Sequence, residues 1–176
     1  IIVPLSVQAQ NDLAAVMVVD TETVEMQRVN TEQWIPIRVE AIVGVGDMIR
    51  TRENGSATIT FFADGIETTL EPNTMYRIDE FNGNDAQFNL SVSVLVGQTQ
   101  QRIERALDAG SNYDVNTPGA ELVARGTEFS VRVEDSGRSS MIVSEGSVEA
   151  NASGETEQVP SQFGIRSEED GMLSDV

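Results

Sequence analysis

The sequence has no cysteine and no histidine, and all 11 of its basic residues are arginine, so lysine is absent as well. These gaps remove zinc clusters, thiol nucleophiles, Ser-His-Asp triads and imidazole acid-base chemistry together. What is left of the common catalytic devices is a pair of carboxylates. Lack of cysteine leaves the redox compartment open, because disulfide-free proteins live on both sides of a membrane. Aromatic residues make up only 5% of the chain, and no apolar run approaches the roughly 20 residues that span a bilayer as a helix. Positive charge is scarce too, with 29 acidic residues setting a formal net charge of −18. Such a chain repels phosphate, so nucleic acid and anionic membranes are poor partners, whereas calcium, a cationic surface or a second copy remain compatible.

What is present is an apolar fraction of 39% over 176 residues, enough for one compact domain with a core. Three regions are expected. Residues 1–12 begin with the apolar run "IIVPLSVQAQ", which reads either as the end of a secretory signal or as an apolar strand. In the second reading Ile1, Ile2, Val3, Leu5 and Val7 pair with a neighbouring subunit. Residues 13–167 form the domain, and 168–176 an acidic tail that reads as a frayed end or linker.

Within the domain, period-two alternation rich in Val, Ile, Thr and Phe recurs between turn signals, among them Asn54-Gly55, Asp64-Gly65, Asn82-Gly83 and Glu145-Gly146. Short strands at this spacing predict an all-β fold: an antiparallel sandwich or barrel-like domain, with a short solenoid as the alternative. Trp34–Val39 reads as one strand and Gln87–Val96 as another; "QTQQRIERAL" after Gly97 is either a polar strand or a short helix. The segments "GSATITFFADGIETTL" and "GTEFSVRVEDSGRSSMIV" share a hairpin pattern that two halves of one β-domain would produce. Trp34, Phe61, Phe62, Phe129 and Phe163 are expected in the core, except that only one of Phe61 and Phe62 can face inward in a regular strand.

An ordered set of short motifs carries a resemblance. Trp34-Ile35-Pro36-Ile37, Gly46-Asp47-Met48-Ile49-Arg50-Thr51, Gly55-Ser56-Ala57, Phe62-Ala63-Asp64-Gly65 and Leu70-Glu71-Pro72-Asn73-Thr74 are followed by Val115-Asn116-Thr117-Pro118, Ala120, Arg125-Gly126-Thr127-Glu128-Phe129 and Val143-Ser144-Glu145-Gly146-Ser147-Val148. In order and spacing, from Trp34 to Arg166, the chain resembles a FecR-like domain. The resemblance implies an all-β extracytoplasmic domain. In the best-known members one transmembrane helix joins it to a cytoplasmic segment controlling a sigma factor, and an outer-membrane transporter supplies the signal. The sequence here shows neither the helix nor that segment, which draws the expectation toward secreted and multidomain members that serve structure or binding.

The leading expectation is therefore a non-enzymatic, exported structural or interaction module without a cofactor. It is a homo-oligomer or filament built by donation of the N-terminal strand, or binds another exported protein. The alternative is a periplasmic signal-transducing domain of a sigma-factor regulator, and a two-carboxylate carbohydrate enzyme stands third. Thr117, Pro118, Arg125, Gly126 and Thr127 read as a structural motif: proline fixes φ at a strand rim, and a partly buried Arg125 donates to carbonyls or to Glu128 or Glu145. Candidate acid-base carboxylates, Glu168-Glu169-Asp170 and Asp64 with Glu67 and Glu71, lack apolar surroundings and read as solvated turns. Asn82, Asn84 and Asp85 form a weak calcium candidate, an oxygen-rich turn without the later bidentate acid. Asn54, Asn89 and Asn151 fit the glycosylation triplet.

Overall fold

A computed structural model describes residues 13–63, 65–83, 87–104, 106–168 and 171–176. The segment Ile1–Val7 expected to pair with a neighbour lies outside the described residues. The regular structure of the described residues is all β, without a helix. In order the strands are β1 (Leu13–Thr21), β2 (Val24–Gln27), β3 (Trp34–Ile37), β4 (Glu40–Gly44), β5 (Met48–Thr51), β6 (Ser56–Phe61), β7 (Ile66–Leu70) and β8 (Met75–Gly83). They continue as β9 (Phe88–Ile103), β10 (Asn112–Asn116), β11 (Glu121–Ala124), β12 (Glu128–Val133), β13 (Ser139–Glu145), β14 (Ser147–Ala152), β15 (Glu155–Pro160) and β16 (Gly164–Arg166).

Two layers share β9. One runs β4-β1-β6-β7-β9-β12-β13-β16, the other β3-β2-β5-β8-β9-β10-β11-β14-β15. The sheet is mostly antiparallel and does not close into a barrel; β9 with β10 is the one parallel pair among the described strands, so the repeated parallel rungs of a solenoid are missing. Residues Phe88–Val96 of β9 pair in the second layer, and Gly97–Ile103 pair in the first. The passage occurs at Gly97, whose φ is +101 and whose absent Cβ would lie 2.4 Å from the Thr74 Cα. A side chain there would collide with backbone, so the strand can change layers only at glycine.

This settles the ambiguous segment after Gly97 as strand. Thr99, Gln101 and Ile103 are buried while Gln100 and Arg102 are exposed, a period of two that excludes a helix. The buried side chains are polar because the core holds a hydrogen-bonded group: Thr68 Oγ1 donates to Gln101 Oε1 at 2.7 Å, and Tyr113 OH donates to the same oxygen at 3.2 Å. Gln101 in turn donates to Thr99. Strands β7, β9 and β10 are thus tied across the two layers. Burial pushes the phenols of Tyr113 and Tyr76 up. The Tyr76 hydroxyl lies close enough to Thr68 and Tyr113 to feel them, yet meets no partner in hydrogen-bond geometry.

The two similar hairpins are β6–β7 and β12–β13, both in the first layer. They flank β9 in opposite senses, β7 being the second strand of its hairpin and β12 the first of its own. The strand expected over Trp34–Val39 ends at Ile37, and a further strand, β4, begins at Glu40 in the other layer. No Gly, Pro, Asn or Asp marks that corner, so alternation alone could not reveal it.

Each free edge is blunted. Strand β3 carries Pro36; on β4 the Ile42 carbonyl accepts from Arg28 Nη1 at 3.0 Å and Gly44 N–H donates to Asp47. Strand β15 exposes Glu155 and Glu157 and ends at Pro160. On β16 the Arg166 carbonyl accepts from Ser174 N–H at 2.9 Å. Proline, charge and covering segments are the devices that keep an edge from recruiting a foreign strand. The tail is accordingly not frayed where described: Ser167 bridges Leu173, Leu173 packs on the core, and Glu168 pairs with Arg138 and Arg166. Those two guanidinium groups, Arg166 first, hold the Glu168 carboxyl below its usual range.

Candidate functional site

The motif segments gather at two corners of opposite character. At the first, β4 ends in Gly44, and the chain turns through Gly46 at a φ of +84. A Cβ on Gly46 would sit 2.6 Å from Val29 Cγ2, so the turn closes directly on the neighbouring loop. It delivers Asp47 into the interior, its side chain 1% exposed. The carboxylate accepts from Arg28 Nη1 at 2.7 Å, from Val29 N–H at 3.0 Å and from Gly44 N–H at 2.9 Å. A buried charge with one ion partner and two backbone donors is fully matched.

The second corner joins β11 to β12 and β13 to β14. Gly126, at a φ of +80, reverses the chain between β11 and β12. Gly146 answers from the other turn, and a Cβ there would meet the Gly126 carbonyl at 2.7 Å and Thr127 Cγ2 at 2.8 Å. Together with the end of β9 the two turns line a cleft of about 490 Å³, walled by Arg102, Glu104, Gly126, Thr127, Glu128 and Glu145. Thr127 is 2% exposed, and its Oγ1 has no hydrogen-bond partner. Glu128 and Glu145 face each other across β12 and β13.

Arg125 does not do what the sequence predicted. It is exposed, donates to no carbonyl and to neither Glu128 nor Glu145 among the described residues, and acts at a distance on Asp114. Strand β11 ends at Ala124, which faces the core, and Arg125 follows it into the exposed bend. Asp114 is half-buried on the outer face of the second layer. Burial first, then the charges of Glu121 and Glu80, raise its carboxyl above the ordinary value, with Arg125 opposing.

Thr117 and Pro118 make the turn between β10 and β11. Thr117 Oγ1 accepts from Ala120 N–H at 2.9 Å and donates to the Ala120 carbonyl at 2.9 Å. Gly119 follows because a Cβ there would fall 2.0 Å from Ser167 Oγ. The turn is therefore locked against the tail, some distance along the chain from the cleft's residues.

The model of the family described as FecR protein matches residues 47–149, more than half of the chain. The chain belongs to the FecR family. Two solved structures of a candidate anti-sigma factor from Parabacteroides distasonis ATCC 8503 share its fold, with TM-scores of 0.60 and 0.59 at 20% and 19% identity. Each alignment covers 72% of this chain and 57% of the other, so the FecR chain here spans a little over half the length of those proteins. No curated protein matches the sequence.

The remaining expected positions scatter over this FecR domain. Asn82 and Asn89 join Asn112 in a ladder of side-chain amides, Asn89 Nδ2 to Asn82 Oδ1 at 3.2 Å and Asn112 Nδ2 to Asn89 Oδ1 at 3.0 Å. Asn84 and Asp85 lie outside the described residues, and no group of three acidic side chains among the described residues is arranged for a metal ion. Asn151 is held by Glu149 and Thr156, whereas Asn54 sits on an exposed turn. Phe61 and Phe129 are buried as expected, and Phe62 is the outward member of its pair. Two aromatics are corrected: Phe163 is 51% exposed, and Trp34 is only half-buried, with Arg50 stacked 3.9 Å over its ring. Arg50 also donates to Glu25, which holds that carboxyl below its usual range, with Arg52 adding to the effect and burial opposing it. Asp47 was missed as a site residue; its signal was a Gly-Asp pair directly after an apolar strand.

Proposed function

We propose that the protein is a non-catalytic, extracytoplasmic FecR domain that regulates transcription indirectly, by binding a partner protein in an anti-sigma-factor system. The observation that carries this reading is the coincidence of the family match over residues 47–149 with a fold shared with chains described as anti-sigma factors. A regulatory domain of this kind needs a stable scaffold and one open binding corner. The matched Asp47 corner and the unmatched Thr127 cleft support that reading. Assembly into filaments by strand donation has less to support it, because each free edge of the described sheet is already blunted.

The test is genetic and uses the gene in its own host. Residues 47–149 are deleted in frame, and the transcriptome is compared with the parent strain. A confined set of genes sharing one promoter class is expected to change severalfold. An unchanged transcriptome under both resting and inducing conditions contradicts the proposal.

A further inference from the structure

The cleft between the β11–β12 and β13–β14 turns carries two unmet demands. Glu128 and Glu145 are cross-strand partners at the bulge that ends the β12–β13 ladder, and like charges paired across strands destabilise a sheet. Among the described residues neither forms an ion pair; Arg102, which stands across from Glu128 on the β9 side, lies 3.5 Å from Glu104 instead. Beside them Thr127, 2% exposed, keeps a hydroxyl without a partner, and a buried polar group left unmade lowers stability. A native fold holding both demands at one place gains when something satisfies them together.

The chemistry of that something follows from the acceptors. Two carboxylates and a hydroxyl accept hydrogen bonds, so the ligand must be cationic and carry several N–H donors. Among the described residues no three acids are grouped for a metal ion, which leaves charge spread along a rim and not focused on a point. A planar guanidinium bridges two carboxylates with parallel N–H bonds better than a compact ammonium does. We propose that this cleft receives an arginine side chain of the partner protein, with Glu128, Glu145 and Thr127 as acceptors. The proposal deepens the regulatory reading, since it assumes that the partner is a protein, and the chain's net charge of −18 favours a basic partner segment.

The experiment titrates N-acetyl-arginine amide into the isotope-labelled full chain and follows backbone amide shifts. N-acetyl-citrulline amide, its uncharged isostere, is the control. Saturable shifts centred on Gly126, Thr127 and Gly146 are expected, with binding at least about tenfold weaker for citrulline, as loss of charge assistance implies. The double variant Glu128→Gln, Glu145→Gln removes two exposed carboxylates and retains the fold; in it the arginine shifts at these three amides are lost. Shifts spread evenly over the acidic surface, or local shifts that survive in the double variant, overturn the proposal. The probe needs no regulatory system, so a negative result here moves the docking point and leaves the transcriptome test to decide the regulatory reading.

Discussion

The two motif corners differ in how completely their polar groups are matched. At the Asp47 corner a buried carboxylate meets Arg28, Val29 N–H and Gly44 N–H, and nothing is left for a ligand. At the Thr127 corner a buried hydroxyl has no partner and two carboxylates oppose each other. Asp47 and the cleft residues both lie within the span that defines the family, although the partners Arg28, Val29 and Gly44 precede it, so membership in a motif does not reveal which segments hold the fold and which face a partner. Saturation of hydrogen bonds does.

The sharpest way to break the comparison is at its closed side. Asp47→Ala leaves two backbone donors and the partly exposed Arg28 guanidinium without their acceptor, and each buried donor left unmatched costs about 1–3 kcal/mol. A large drop in the denaturation midpoint, or an insoluble protein, is expected. Gly119→Ala comes next. Its Cβ meets Ser167 Oγ at 2.0 Å, and overpacking of this kind costs about 1–3 kcal/mol, read as a lower midpoint in urea.

A smaller effect is expected at Asp114, and it depends on pH. The folded state raises this carboxyl above its ordinary value of 3.8 through burial and through Glu121 and Glu80. The folded protein then holds the proton more tightly than the unfolded chain does, so the ionised form opposes folding at neutral pH. That penalty fades as pH falls through the raised folded value toward 3.8. Asp114→Asn should stabilise at pH 7, with the gain over the parent vanishing in acid, as paired melts across pH will reveal. Arg125→Ala is expected to be the smallest change, within about 0.5 kcal/mol, because an exposed side chain without a partner carries little stability. A loss of several kcal/mol would restore the structural role that the sequence suggested for it.

Much of the architecture was legible because local chemistry and global fold agree. Asn54-Gly55 and Glu145-Gly146 mark turns, and Ala57, Ile59 and Phe61 alternate as a half-buried strand must. Legibility failed where a polar side chain sits inside. Thr99 and Gln101 look like surface residues until Thr68 and Tyr113 are seen to satisfy them, so the second half of β9 was indistinguishable from a helix. Asp47 hid for the same reason, since its partner Arg28 is 19 residues away in sequence. At the candidate site the motif was visible, but its emphasis fell on Arg125 where the structure puts it on Thr127. The bend between β11 and β12 decided that, and no pattern on one strand can tell which residue of a bend faces a cleft made by another turn.

The most direct test of the open corner is the stability of Thr127→Val. Valine keeps the shape and removes the hydroxyl. If that hydroxyl is held in reserve for a partner, the isolated protein loses nothing by the change, and exchanging an unpartnered buried polar group for a methyl leaves stability equal or higher. The urea midpoint is therefore predicted to stay in place or rise. A fall corresponding to more than about 1 kcal/mol, the worth of a typical satisfied hydrogen bond, would mean that Thr127 holds the fold together, as Asp47 does, and would contradict the distinction between the two corners.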